Sequence, residues 1–533
     1  MRAFWKLLQT TVGGGAILIG TASVLSRVAG LVRDFLLASH FGAGRTLDMY
    51  NEAFLLPDFI FKTMVLGALS SSFIPIFLEY WMKKDEHSRE EAWRIANGVL
   101  NTILLGAVTF ATAVFFFADP LIARMAPGFS AEEVGMTAGL TRMMLVSMIF
   151  FAASNVVSSI LNALRKFVSY GLAPIFYNLG IIFGIIVLVP LFGVYGLALG
   201  VILGAFLHLA VQIPSLIRAG FHLQPVVGWR HPGVRKILVL MLPRSIGLAI
   251  QQLSEFVAKG IGSTLVVGSI SVYNFANNLL YFPISVFGIS LAVSVFPVFT
   301  EVMIRNDHTA FVHHFSKTIR RILVVLVPVS VLTILLRAQI VRLIYGSGRF
   351  DWDDTSRTAA ALGVFAISLA AQGLIPVLAR SFYALKDTVT PVVISLIAFV
   401  VNIALSFLLA SRWSVSGLAF AFSVAGIVQM IFLYAVLRKR MGSLDDRKIF
   451  ESLMRIIFAS LVMGIVKRGV LELLSLVVNM QTRLGLFLQA SGALCVAVVV
   501  YLAIAYWQQF DELTLLWPFF HRLKKMLARP ANG

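Results

Sequence analysis

Five basic and four acidic side chains interrupt three segments of the sequence that are otherwise apolar enough to lie in a membrane. A charge at the centre of a bilayer costs about 2.5–3.5 kcal/mol even on a lenient insertion scale, so such groups face water, a ligand or each other. The planar fork of an arginine suits the oxygens of a phosphate. The pattern therefore indicates a site for an anionic, phosphate-bearing group. The bases are Arg27, Arg33, Lys62, Arg244 and Lys259, and the acids are Asp34, Glu52, Asp58 and Glu255.

The same spacing allows a purely structural interpretation. Asp58 and Lys62 are four residues apart, as are Glu255 and Lys259, so each pair can close on one helix face. Such pairs would only fasten helices together. Because five bases meet four acids, a strongly cationic cavity does not follow from the count. Asp34 and Glu255 are also our candidates for a proton or coupling-ion site.

The composition excludes a soluble protein. Hydrophobic residues make up 59% of the 533 residues and charged residues 13%, whereas soluble chains have about 45–50% and about 25%. A helix crosses the hydrocarbon core with about 20 apolar residues. The single cysteine, Cys495, rules out a disulfide framework.

Long stretches without Asp, Glu, Lys or Arg predict an all-α integral membrane protein of about fourteen transmembrane helices. The longest stretch, 167–217, has room for two helices hinged near Pro190 and Gly193. The intramembrane charges fall on predicted helices 1, 2 and 7. The predicted helix centres are 25, 65, 106, 150, 179, 206, 250, 286, 324, 370, 399, 425, 461 and 496.

The distribution of Lys and Arg predicts the orientation. Cytoplasmic loops carry an excess of these residues. With the N-terminus inside, inside segments hold 26 of the 44 basic residues and outside segments hold 10. We therefore expect both termini in the cytoplasm, and the net charge of +19 then needs no nucleic-acid partner.

The two halves resemble each other weakly, with an offset of 221 to 223 residues. Tyr50 matches Tyr273 at an offset of 223, and the motif that begins at Gly196 matches the one that begins at Gly417 at 221. The repeat spans six predicted helices, so both copies have the same orientation. Parallel repeats of this kind are typical of transporters.

Motifs for other chemistry are lacking in the sequence. There is no P-loop and no H-E-x-x-H spacing, so we expect no cofactor and no metal. The basic segment His521–Arg529 predicts an interfacial helix on anionic lipid. The ridge of Gly196, Gly200 and Gly204 indicates close helix packing.

Several motifs resemble the MurJ (MviN) family of lipid II flippases. Ser26–Asp34, followed by Phe41–Gly44 and Asp48, is similar to the opening of that family, and Ala379–Pro391 is similar to a motif in its second half. Pro127–Phe129 and Tyr345–Phe350 also fit. The similarity covers essentially the whole chain.

The resemblance implies the fold and the activity of the exporter superfamily to which that family belongs. It implies a transporter, not an enzyme, that turns undecaprenyl-pyrophosphate-linked peptidoglycan precursor outward, in the bacterial inner membrane. Its partners would be that lipid or a related polyprenyl-pyrophosphate glycolipid, anionic membrane lipids and cell-wall synthesis proteins. The implied domains are six-helix lobes at 1–220 and 221–442, a lipid-tail groove of two helices at 443–510 and a basic tail at 511–533.

Within that resemblance, Arg27, Arg33, Asp34 and Asp48 match family positions important for function. Lys62, Arg244 and Lys259 complete the set that we expect to bind the headgroup.

Two departures from the family put the exact headgroup in question. Phe61 stands where the family usually has an Arg, and Asn277–Asn278 replaces an Asx-Arg pair. The alternatives are a flippase for another polyprenyl-linked glycan, a drug antiporter, and a membrane scaffold that binds lipid without transport. An integral membrane enzyme would need a catalytic cluster at an interface, and the sequence has none.

Overall fold

The computed structural model describes residues 12–66, 73–83, 85–226, 228–478 and 482–516, and all regular secondary structure in these ranges is helical. Side chains 12–19, 64–66, 242–244, 247, 251, 483 and 514–516 lie outside the description. Contacts divide the chain into two compact units, Met1–Ser271 with Ser347–Asp351, and Val272–Gly346 with Trp352–Gly533. The predicted interfacial helix at 521–529 lies outside the described residues.

The first unit begins with helices that carry most of the predicted site. Its helices are α1 (Val12–Phe41), α2 (Arg45–Ala53), α3 (Leu55–Ile60), a π-helix (Phe61–Leu66), α4 (Ile74–Trp81), α5 (Glu86–Met125), α6 (Ala131–Ala163), α7 (Phe167–Phe183), a π-helix (Gly184–Leu188), α8 (Val189–Phe192), α9 (Tyr195–Ala210), α10 (Ile213–Ile217), a 3-10 turn (Gly228–Arg230) and α11 (Pro232–Ser263).

The second unit continues the chain from within the next helix. Its helices are α12 (Ser269–Pro283, with its first turn in the first unit), a π-helix (Ile284–Ile289), α13 (Ser290–Ile304), α14 (His308–Ile344), α15 (Trp352–Ala366), α16 (Leu369–Ala384), α17 (Val389–Met441), α18 (Asp446–Val477), α19 (Arg483–Trp507) and a 3-10 turn (Asp511–Leu516).

The described helices confirm an all-helical, multi-pass membrane fold. Nine helical segments of the described chain are long and apolar enough to cross a membrane, and the α15–α16 pair, bent by 47°, makes a tenth. Every predicted centre lies on a helix. The charged helices α1 and α11 and the broken helix around residue 65 are not among the ten, and α17 holds two predicted centres. The count of fourteen therefore stays a prediction.

Paired irregularities of the backbone support the predicted repeat. The π-helices Phe61–Leu66 and Ile284–Ile289 are 223 residues apart. Gly193 (φ 57°, ψ −139°) and Ser414 (φ 51°, ψ −135°) are 221 residues apart, and each interrupts a helical run at the same conformation. The positive-φ pairs Arg165 with Lys386 and Gly220 with Gly442 follow at offsets of 221 and 222. A bulky, β-carbon-bearing residue rarely adopts φ near +50°, so these coincidences indicate a shared local architecture.

The glycine ridge on α9 packs backbone against backbone. A β-carbon on Gly200 would lie 2.7 Å from the α-carbon of Gly184, and one on Gly184 would lie 2.5 Å from that of Gly200. Real β-carbons do not approach other atoms so closely. The interpretation of this ridge as close helix packing is confirmed.

The predicted position of Lys467 in a loop was wrong. The sequence pattern put it in an outside loop, but α18 continues to Val477 and buries Lys467 to 1% exposure. Its ammonium donates a hydrogen bond of 2.8 Å to the carbonyl of Leu335. A charged residue within a helix can lie inside when a carbonyl of a neighbouring helix satisfies it, and loop counting from charge alone misses this.

Asp387 fastens the turn before α17. Its carboxylate accepts hydrogen bonds from the backbone of Val389 and Thr390 and from the Thr390 hydroxyl, and Arg440 forms an ion pair with it at 2.5 Å. Burial raises the pKa of this carboxyl, but the hydrogen bonds from Thr390 and the charge of Arg440 outweigh burial, so the pKa lies below its ordinary value.

The lowered pKa gives a testable pH dependence. Because the unfolded chain binds a proton first as the pH falls, the stability from Asp387 is complete above the unfolded pKa of about 3.9 and is lost as the pH falls through the folded pKa. We expect Asp387→Asn to cost about 1.5–3 kcal/mol at neutral pH, as hydrogen bonds to a charged group do. Thermal unfolding of both proteins should show this gap shrinking in acid. A gap that is constant down to strongly acidic pH would contradict the assignment.

Candidate functional site

The predicted site residues all belong to the first unit. Within it they fall into three clusters, one on α1, one between the π-helix Phe61–Leu66 and α11, and one on α2. Arg27, Arg33 and Asp34 lie on α1, Asp48 on α2, Lys62 on the π-helix, and Arg244, Glu255 and Lys259 on α11.

Arg33 is held by its neighbour Asp34 on α1 and by Asn178 on α7. Its Nε and Nη2 atoms donate to one oxygen of Asp34 at 2.9 and 2.7 Å, and its Nη1 atom donates to the side-chain oxygen of Asn178 on α7 at 3.1 Å. Asn178 in turn donates to the carbonyls of Ser26 and Pro174. The guanidinium is therefore oriented before any ligand arrives.

Arg27 lies half-buried on the same helix. Six residues of α-helix separate it from Arg33, which is about 9 Å along the axis and about 120° around it. The two arginines therefore do not share a helix face. They present positive charge at two levels of α1.

Lys62 is the centre of a second cluster. Its ammonium lies 3.3 Å from Asp58, 3.1 Å from the side-chain oxygen of Gln252 and 3.9 Å from Glu255. The predicted pair of Asp58 and Lys62 is confirmed. The cluster joins the second predicted helix to α11.

Lys259 departs from its predicted local partner. Among the described residues it forms no ion pair with Glu255; its ammonium donates to the backbone carbonyl of Asn51 at 3.0 Å. Lys259 is 7% exposed, and Glu52, the neighbour of Asn51, is fully buried. A buried cation and a buried anion therefore lie on facing helices without closing on each other.

Asp48 binds the start of α12. One carboxylate oxygen accepts from the backbone N–H of Gly268 at 2.7 Å, and the other accepts from the backbone N–H and the hydroxyl of Ser271 at 2.8 and 2.7 Å. The first N–H groups of a helix have no partner within it, and an anion there also interacts favourably with the helix dipole. Asp48 is 1% exposed, so its role is to fix this backbone in place.

Two further positions singled out in the sequence are Arg244 and Phe61. Arg244 lies on α11, but its side chain lies outside the described residues. Phe61, at the family's usual arginine position, packs its ring 5.5 Å from the ring of Phe151 on α6. An apolar contact has replaced a charge there.

The sequence pattern missed the neutral partners of the charged residues, namely Asn51, Asn178, Gln252 and Ser271. Gln252 could have been found, because it precedes Glu255 and Lys259 by three and seven residues and so shares their helix face. Asn178 is a lone amide in a charge-free span, which is a weaker signal.

Comparison with known proteins gives a consistent match along the sequence. A family model described as lipid II flippase MurJ matches residues 37–487. A probable lipid II flippase MurJ of Vibrio cholerae serotype O1 is 31% identical over 430 residues, which cover 78% of this chain and 81% of that protein. A probable lipid II flippase MurJ of Rickettsia prowazekii is 29% identical over 437 residues, covering 81% and 84%.

Two solved structures share the fold. A lipid II flippase MurJ in an inward closed conformation matches with a TM-score of 0.76 and 24% identity, over 92% of this chain and 98% of that one. An inward-facing multidrug resistance MATE family transporter of the MOP superfamily matches with a TM-score of 0.68 and 16% identity, over 81% and 99%. At such identities the structures show the fold alone.

Proposed function

The chain belongs to the MurJ family of lipid II flippases, and we propose that it carries lipid II from the inner to the outer leaflet of the membrane by alternating access. Lipid II is the undecaprenyl-pyrophosphate-linked precursor of peptidoglycan. The chain is a multi-pass protein of the bacterial inner membrane. It acts as a transporter and not as an enzyme.

The observation that carries this proposal is the extent of the family match. Residues 37–487 include parts of both compact units, all of α18 and the first turn of α19. A lipid-binding scaffold needs only one binding surface, whereas the match extends over residues 37–487 of the 533. The buried charges of the first unit add to this, because a membrane protein retains such costly groups mainly for function.

The residues predicted to bind the headgroup have distinct roles in the proposed mechanism. Arg27 and Arg33 attract the pyrophosphate, with Arg33 oriented by Asp34 and Asn178. Lys62, Lys259 and Arg244 supply further positive charge. Asp48 contributes indirectly by holding the first turn of α12. Charge-assisted hydrogen bonds to phosphate are about twice as strong as neutral ones, so this set favours an anionic headgroup over a cationic drug.

The proposal includes an orientation in the membrane and further partners. We place both termini in the cytoplasm, on the excess of basic residues in the inside loops. Anionic lipids of the inner leaflet and cell-wall synthesis proteins are the expected neighbours. We propose that the chain is divided into two lobes and a groove for the lipid tail, at 1–220, 221–442 and 443–510.

A flippase for another polyprenyl-linked glycan is the second candidate. Phe61 and the Asn277–Asn278 pair are the observations that favour it, because both remove arginines that the family usually has. A glycan with fewer anionic groups would need fewer cations.

Rescue of a MurJ-depleted bacterium tests the proposal and separates the candidates. Expression of this chain should restore growth, and lipid II should become accessible to a probe on the outer face of the membrane. The empty vector is the control. Growth without accessible lipid II, or expression without growth, would reject lipid II as the cargo.

A further inference from the structure

Glu52 is an anion-forming group that the site described above leaves unused. It lies on α2 with 0% exposure, and neither of its carboxylate oxygens has a hydrogen-bond partner among the described residues. A bare carboxylate in such a place costs several kcal/mol. The group therefore requires a bound proton or a counter-cation.

The groups around Glu52 already have other hydrogen-bond partners, so a proton is the species left to bind its carboxylate. From α11 comes Lys259, whose ammonium already donates to the carbonyl of Asn51. From its own helix comes Asp48, whose oxygens accept from the first turn of α12. Helix α6 packs on α2 with Thr141, which donates to the Ala53 carbonyl.

A further acid and base, at the opposite end of α2, are paired with each other. Glu133 of α6 binds Arg45 at 2.9 Å. Among the described residues no three His, Cys, Asp or Glu side chains come together as metal ligands. Lys259 is thus the cation that faces Glu52.

We propose that Glu52 is a proton-binding site, and that proton binding there leaves the Lys259 ammonium uncompensated and raises the affinity of the first unit for a pyrophosphate headgroup. The identity of that headgroup rests on the proposed function. The proton comes from the aqueous phase and forms an O–H bond with one carboxylate oxygen. Its release breaks that bond and returns the proton to the aqueous phase. The Glu52–Lys259 pair changes from a net charge of zero to +1.

The two acids predicted for coupling are placed less favourably for this role. Asp34 accepts two hydrogen bonds from Arg33, which leaves its carboxylate already engaged. The side chain of Glu255 is 35% exposed and lies 3.9 Å from Lys62. Glu52 alone among the three combines full burial with two oxygens that lack a described partner.

Proton binding and headgroup binding must then be linked in both directions. If a proton raises the affinity for pyrophosphate, pyrophosphate raises the affinity for the proton by the same factor. Couplings of this kind typically amount to about 5–150-fold. This linkage gives a measurable signature that a merely structural carboxyl lacks.

Infrared difference spectroscopy of the full-length protein tests the proton site without any transport. The wild type should show the C=O band of a protonated buried carboxyl, with a shift in heavy water. Glu52→Gln should lack this band. Glu79→Gln, which changes an exposed carboxyl on α4, should keep it. A band that persists unchanged in Glu52→Gln would overturn the proposal.

Binding of farnesyl pyrophosphate to the purified protein in detergent tests the linkage. Glu52→Gln mimics the protonated state, so the ratio of its affinity to that of the wild type should rise from near one in acid to at least about 5-fold in alkali. Taking the ratio at each pH cancels the titration of the ligand itself. Glu79→Gln should follow the wild type, and Lys259→Met should remove the advantage of Glu52→Gln.

The outcomes separate this inference from the proposed function. A ratio that does not change with pH overturns the linkage even if the chain transports lipid II. If no variant binds the pyrophosphate, the pyrophosphate cargo and the linkage both fall, while the infrared band still decides whether Glu52 holds a proton.

Discussion

Replacing Arg33 with alanine is expected to abolish lipid II transport and to destabilise the protein by about 3–5 kcal/mol, the usual cost of breaking a buried ion pair. The guanidinium makes three hydrogen bonds, two to Asp34 and one to Asn178. The Asp34 side chain is 8% exposed, so its carboxylate would be left buried without this cation. Thermal unfolding in detergent measures the stability, and rescue of a MurJ-depleted strain with a lipid II accessibility probe measures transport.

A double variant separates the two effects. Arg33→Ala with Asp34→Ala removes both charges, so most of the lost stability should return while transport stays absent. Arg33→Lys is the conservative control: it keeps the charge but loses the fork that holds Asp34 and Asn178 together. We expect intermediate stability and weak rescue from it. If the double variant transports as well as the wild type, Arg33 serves only to neutralise Asp34.

The fold was predictable because apolar stretches between charges are long and unambiguous. The 51-residue stretch 167–217 could only be two helices, and the structure breaks it at Gly193. The corresponding break at Ser414 lies between the predicted centres 399 and 425, close to Arg412, so the break was predictable, although a serine gives no sign of positive φ. Lys467 was misplaced because a charge that interrupts an apolar stretch is equally compatible with a loop, whereas α18 continues past it to Val477.

The site was predictable as a set of charges but not as a set of contacts. Spacing correctly paired Asp58 with Lys62, which lie on one helical run. The same rule paired Glu255 with Lys259, yet Lys259 reaches the carbonyl of Asn51, 208 residues away in sequence. Local spacing fixes which side chains share a face, whereas tertiary packing decides which acceptor a buried ammonium reaches.

Asp48 is the predicted site residue whose role most depends on such packing. Nothing near it in the sequence indicates that it binds residues 268–271. Asp48→Ala would leave the N–H groups of Gly268 and Ser271 and the Ser271 hydroxyl without their acceptor. Each unsatisfied buried donor costs about 1–3 kcal/mol, so we expect a loss of at least about 3 kcal/mol and no rescue of the depleted strain.

Two further variants test whether the charge of Asp48 is what holds the first turn of α12. In Asp48→Asn one acceptor oxygen remains, but the amide N–H₂ group faces backbone donors, so this isosteric change should destabilise nearly as much as alanine. Ser271→Ala removes only the hydroxyl donor and leaves both backbone hydrogen bonds, so its cost should be about 1 kcal/mol. Thermal unfolding of the three variants should therefore rank Ser271→Ala well above the two Asp48 variants. An Asp48→Asn protein as stable as the wild type would show that the charge of Asp48 does not hold the first turn of α12, and its importance would then lie in direct contact with the cargo.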